Sequence, residues 1–148
     1  MPVGPGQLFV NPDGSLSSVI AVSVANPAAG SDFSQTLAAP WTNRLLIQVN
    51  GTFATSAVVA TRVPRLRVTL GAGGPTILEA TATGTQAASS TNRFIWFPGA
   101  VAVGAGGEIV SPMPNNMVLP IGAVVTCSTA NIDAADQWTS VTLTFSGP

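Results

Sequence analysis

The titratable side chains of this sequence are few. There are six carboxylates (Asp13, Asp32, Glu79, Glu108, Asp133 and Asp136), five arginines (Arg44, Arg62, Arg65, Arg67 and Arg93) and one thiol, Cys127. Histidine, lysine and tyrosine do not occur. A Ser-His-Asp or Cys-His nucleophile and an imidazole metal site are therefore excluded, and so are lysine and tyrosine bases. Two carboxylates suffice for a glycosidase. Here, however, none lies in a recognisable acid–base setting, and Trp41, Trp96 and Trp138 are far apart in sequence. The reading is no enzyme, no catalytic residue, no cofactor and no metal.

Weaker chemical signals have structural explanations. Asn131-Ile132-Asp133-Ala134-Ala135-Asp136 offers oxygen ligands for Ca²⁺, but without EF-hand spacing. Asn and Asp are also turn residues that bond their own backbone. Gly71-Ala72-Gly73-Gly74-Pro75 lacks the Lys-Ser/Thr of a phosphate loop and reads as a hairpin connection, as does the run from Ala102 to Gly107. Asn50-Gly51-Thr52 matches a glycosylation sequon but falls inside a strand pattern. Cys127, within Val124-Val125-Thr126-Cys127, reads as a small buried hydrophobe, since nothing nearby in sequence would activate a thiol.

Arg62, Arg65 and Arg67 cluster within six residues, with Arg65 and Arg67 on one strand face. They either contact acidic partner groups, which guanidinium binds well, or form a solvated face that deters edge aggregation. Phe94-Ile95-Trp96-Phe97 is apolar on both faces of a strand. One face belongs to a core, and the other packs under a loop or against another subunit.

The elements that would position these residues read as strands. Runs rich in Val, Ile, Thr and Phe, broken by Gly, Pro, Asn and Ser, predict strands near 16–24, 43–54, 62–70, 76–83, 91–97, 108–113, 118–127 and 138–146. Period-two alternation puts Leu45, Ile47, Val49 and Phe53 on one face; Leu66, Val68 and Leu70 on another; and Val141, Leu143 and Phe145 on a third. The predicted interior is Leu45, Ile47, Val49, Leu66, Val68, Leu143 and Phe145. No window shows a helical stripe. The expected fold is all-β: an antiparallel, jelly-roll-like β-sandwich of about eight strands. Residues 1–15 form an extended N-terminal arm and residues 16–148 a single domain. Gln7, Leu8, Phe9 and Val10 form a short apolar segment in the arm, expected to dock on a neighbouring subunit or shell with Leu8 or Phe9 as its anchor.

Composition narrows the class further. At 148 residues and 46% hydrophobic, the chain can bury a core without disulfides or metal. No run approaches the roughly 20 apolar residues of a membrane span, and Met1 to Gly6 does not read as a signal peptide. Only 7% of residues are charged and the net charge is −1, against about 25% charged in ordinary domains. A broad basic surface for nucleic acid is absent. So uncharged a surface favours self-association, so a permanent assembly is expected.

Three segments, Phe94-Ile95-Trp96-Phe97-Pro98-Gly99, Asn116-Met117-Val118-Leu119-Pro120-Ile121-Gly122 and Ser128 to Trp138, resemble small structural proteins of tailed bacteriophages and prophages. In those, a Leu-Pro-x-Gly element leads into a strand, and a polar-Ala-x-Ile-Asp…Asp-x-Trp segment precedes the last one. The resemblance covers residues 41–146 and carries no catalytic signature. It implies a jelly-roll-like virion protein assembled in the bacterial host cytoplasm. The expected role is capsid decoration (cement). The expected partners are further copies, as a trimer, and the major capsid protein or other virion proteins, with no nucleic acid and no membrane. A tail, neck or fibre module, or a glycan-binding β-sandwich, is the alternative. The assembly contacts expected on these grounds are Leu8, Phe9, Val10, Arg62, Arg65, Arg67 and Trp96.

Overall fold

The computed structural model describes residues 7–10, 16–38, 43–99, 103–105 and 107–147. It is all-β, with its strands in two sheets. In chain order the strands are β1 (Gln7–Val10), β2 (Leu16–Ser23), β3 (Ser34–Thr36), β4 (Arg44–Ala54), β5 (Val63–Thr69), β6 (Thr76–Thr81), β7 (Thr91–Pro98), β8 (Val103–Ala105), β9 (Glu108–Met113), β10 (Val118–Leu119), β11 (Val124–Ala130) and β12 (Gln137–Gly147). The larger sheet runs β1-β2-β12-β4-β7-β9-β8, with β10 added to β4; the smaller runs β3-β11-β5-β6. Between them lies one apolar cluster drawn from both, including Leu46, Val49, Phe53, Leu66, Val68, Phe94, Trp96, Val125, Trp138, Leu143 and Phe145.

Period two accounts for most of this core. Leu66 and Val68 of β5, Leu78 and Ala80 of β6, and Phe94 and Trp96 of β7 alternate with exposed or half-buried neighbours. Two bulges break the rhythm. In β12, Thr139 faces Thr52 and Thr142 faces Asn50. The extra residue includes Ser140, whose φ is 52°, and both Trp138 and Val141 therefore point inward. Gly51 lies opposite this bulge. A Cβ there would meet Val141 Cγ2 at 3.0 Å and Trp138 Cε3 at 3.2 Å, so the strand needs a glycine.

The second bulge overturns part of the expected interior. Thr144 faces Gln48, but Phe145 faces Leu46, so β4 carries one extra residue at this point. Upstream of it the parity flips. Leu46 is fully buried, while Leu45 and Ile47, expected inside, are only half-buried. Leu70 is likewise exposed, just beyond a register shift at Val68/Thr69. We predict that Leu46→Ala lowers unfolding free energy by about 2–5 kcal/mol and that Ile47→Ala lowers it by less than half as much. Urea titration of the two variants checks this; equal losses would contradict the bulge.

Three further expectations need correction. The 118–127 run is two strands, because Pro120 and a turn with Gly122 at φ 80° interrupt it. The sheet is not wholly antiparallel: β9 pairs parallel with β7, since the chain doubles back through β8 before entering β9. Finally, the arm is not extended throughout: Gln7–Val10 pairs antiparallel with Leu16–Val19 of its own chain, which makes β1 an edge strand of the larger sheet. The rest of the arm, residues 1–6 and 11–15, and Trp41 lie outside the described residues.

Candidate interaction surface

Arg62, expected at the surface, is fully buried. After β4 the chain crosses between sheets, and Arg62 enters the smaller sheet's end as an isolated antiparallel bridge to Gln86. Its guanidinium uses all five N–H donors. Nε donates to Asp136 Oδ2 (2.9 Å) and Nη2 to Asp136 Oδ1 (3.1 Å) and Ser56 Oγ (3.1 Å). Nη1 donates to the carbonyls of Val58 (2.7 Å) and Ala60 (3.0 Å). Asp136 also accepts the backbone N–H groups of Ser56 (2.8 Å) and Asp133 (2.7 Å). Burial pushes the Asp136 carboxyl up, but these hydrogen bonds and the Arg62 charge outweigh it and leave it below the usual carboxylate value. The 131–136 segment is thus a turn whose oxygens bind its own chain: Asp133 Oδ1 accepts the N–H of Ala135. Among the described residues no three His, Cys, Asp or Glu side chains converge.

This network braces a loop whose tip is apolar. Val58 and Val59 are 53% and 93% exposed. The carbonyls either side of Val59's peptide unit are both held by Arg62, so the exposed valine is presented on a fixed backbone.

A second braced corner lies beside the first. Asp32 accepts the N–H and hydroxyl of Thr129 and the indole N–H of Trp138 (3.2 Å). Cys127 packs there. Burial and the nearby Asp32 charge push its thiol up to about 12, so it stays protonated and inert at neutral pH.

At the opposite end of β4 the larger sheet has a gap. Strand β7 pairs with β4 only from Val49 onward, and β10 pairs only with Leu45 and Arg44. Between them lies a notch of about 310 Å³ lined by Leu45, Leu46, Ile47, Phe97, Pro98, Asn115 and Asn116. Phe97 is 47% exposed, and Val118 and Ile121, also at this end, are 57% and 70% exposed. Among the described residues that line the notch, five are apolar, two are asparagines and none is charged.

The remaining predicted contacts divide. Arg65 and Arg67 are on the outer face of the smaller sheet, both paired with Glu79 (3.0 and 3.2 Å), one acid between two cations. Such exposed pairs add little stability. Trp96 is fully buried and donates its indole N–H to the carbonyl of Ala80 (3.0 Å). It is core, and Phe97, one residue on, is the side chain that faces out. The parity of Phe94 and Trp96 already implied this. The Val58-Val59 tip had no such signal, because it lies in a stretch without alternation.

No family model matches the chain, and no curated protein matches it. A solved structure described as "Structure of PfGH50B" aligns at 8% identity and a TM-score of 0.38, over 98% of this chain and 22% of that one. The chain thus spans about a fifth of that structure's length, and a likeness of this degree carries no argument.

Proposed function

We propose that the chain is a non-enzymatic structural protein of a tailed-phage virion, a capsid decoration protein that stabilises the shell through subunit contacts. The observation that carries the reading is the largely apolar notch at one end of the larger sheet, edged by Asn115 and Asn116, with Phe97, Val118 and Ile121 exposed around that end. An exposed patch of this kind marks a protein contact. Strand order lends support. Without β1, β8, β9 and β10, the eight remaining strands form the sheets β2-β12-β4-β7 and β3-β11-β5-β6. Two four-stranded sheets agree with the jelly-roll expectation, an architecture used in viral capsid and lectin domains. The only buried ion pair found among the described residues, Arg62–Asp136, braces a loop, which suits a structural protein.

Particle fractionation tests the assignment. In purified particles of the encoding phage, antibody against the chain should label intact capsids after tails are removed. Labelling of tails alone would favour the tail, neck or fibre alternative. Labelling of neither, with binding on a glycan array, would replace the virion reading by a glycan-binding module.

A further inference from the structure

The four strands of the smaller sheet hold three charged residues, Arg65 and Arg67 of β5 and Glu79 of β6. All three are on its outer face, with side chains 40–46% exposed. We propose that this cluster is a docking site for a carboxylate-bearing protein surface: one or two acidic side chains of a neighbouring virion protein pair with the guanidinium groups beside Glu79. The inference rests on the assembly part of the reading above and gives the partner's chemistry.

Three observations carry it. First, the cluster has a charge excess. Two arginines to one acid leave +1 on this face, while the rest of the chain sums to −2, since the total is −1. One excess cation matches a carboxylate or two on an otherwise neutral surface. A polyanion such as nucleic acid would meet repulsion from the charge carried elsewhere. Second, the donors are unspent. Arg65 meets Glu79 through Nη1 (3.0 Å) and Arg67 meets it through Nε (3.2 Å). The Arg67 contact is not an aligned hydrogen bond; that side chain donates instead from Nη2 to Thr76 Oγ1 (3.1 Å). Arg65 Nε and Nη2 and Arg67 Nη1 have no acceptor among the described residues, whereas Arg62 uses all five of its N–H groups. Free guanidinium forks are the donor set that pairs a planar carboxylate. Third, the arginines are held in place. Strand β5 is paired on both sides, so Arg67 stands between Glu79 and Thr126 and Arg65 between Thr81 and Ser128. Glu79 keeps two like charges together, which lessens the ordering cost of capture, and the hydroxyls supply a polar rim.

Co-sedimentation of the full chain with capsids, and separately with tails, from a phage mutant lacking this protein tests it. The double variant Arg65→Gln/Arg67→Gln should raise the apparent Kd for capsids at least about tenfold. Its melting should stay within about 4 °C of wild type, because exposed ion pairs add little stability. Glu79→Gln should act in the opposite direction. It doubles the local charge excess and frees both guanidinium groups, so binding should tighten by about threefold or more and depend more steeply on salt. Amidating the capsid carboxylates should abolish the difference between wild type and double variant. Wild-type binding to capsids that none of these changes alters overturns the inference and leaves the decoration reading standing. Equal weakening by Glu79→Gln and by the arginine variant overturns it too, as the mark of a structural role. Arginine-dependent binding to tails alone upholds the inference and overturns the decoration reading. Binding to neither particle overturns both. Binding to heparin as tight as to either particle replaces the acidic protein partner by a general anion site.

Discussion

Replacing Arg62 by alanine should lower the unfolding free energy by about 3–5 kcal/mol, because it leaves the Asp136 carboxylate buried without its counter-charge. At roughly 2–4 °C per kcal/mol for a domain of this size, melting should fall by about 6–20 °C. The loss exceeds one hydrogen bond because the guanidinium joins three segments: the Ser56–Ala60 loop, its own bridge to Gln86, and the Asp133–Asp136 turn. Asp136→Ala should cost a similar amount. Removing both should cost less than the sum of the single losses, by about 0.5–3 kcal/mol, since each single variant strands the partner of the other. Additive losses in this cycle would show that the pair is not coupled. The pH dependence has a definite sign. The Asp136 carboxyl is held below its ordinary value of 3.8 in the folded chain. Its stabilisation is therefore complete above that value and lost as pH falls through the lower folded one. Wild-type stability should drop with acid over this window more steeply than that of the double variant.

Truncating Trp138 to alanine should cost about 3–5 kcal/mol. The indole is fully buried at the centre of the aromatic core. It stacks on Phe53 at 4.6 Å and meets Phe33 and Phe94 edge-on at 5.2 and 5.7 Å. It also covers Gly51 and ties to Asp32. Trp138→Phe separates the two contributions, keeping a ring while removing the N–H. We expect it to lose about 1 kcal/mol, the low end of the range for an acceptor left short of a partner, because Asp32 is partly buried and keeps the two donors of Thr129. Urea midpoints at constant m-value give both numbers. A Trp138→Ala loss under about 1 kcal/mol would mean that the cluster is not the core of the fold.

How far the fold could be read from residues alone differs by element. Strand positions in β2, β4, β5, β6, β7, β9 and β12 were legible because alternation and Gly/Pro punctuation are local properties of the chain. Short strands such as β3 and β8 were not, since two or three residues carry no period. The interior was legible where strands are regular, as at Leu66, Val68, Leu143 and Phe145. It was misread at Leu45 and Ile47, because a bulge arises from the pairing of β4 with β12 and leaves no mark in β4 itself.

The candidate site divides in the same way. The sequence by itself settled which residues exist to do chemistry and that few of them carry charge. Tertiary structure alone decided where Arg62 lies. Arginine by type belongs at the surface, and its burial depends on a carboxylate 74 residues away that only the packing of two sheet ends brings within reach. The notch is a tertiary fact too. It exists because β7 leaves β4 before β10 joins it, and a gap between two strands belongs to neither strand's sequence.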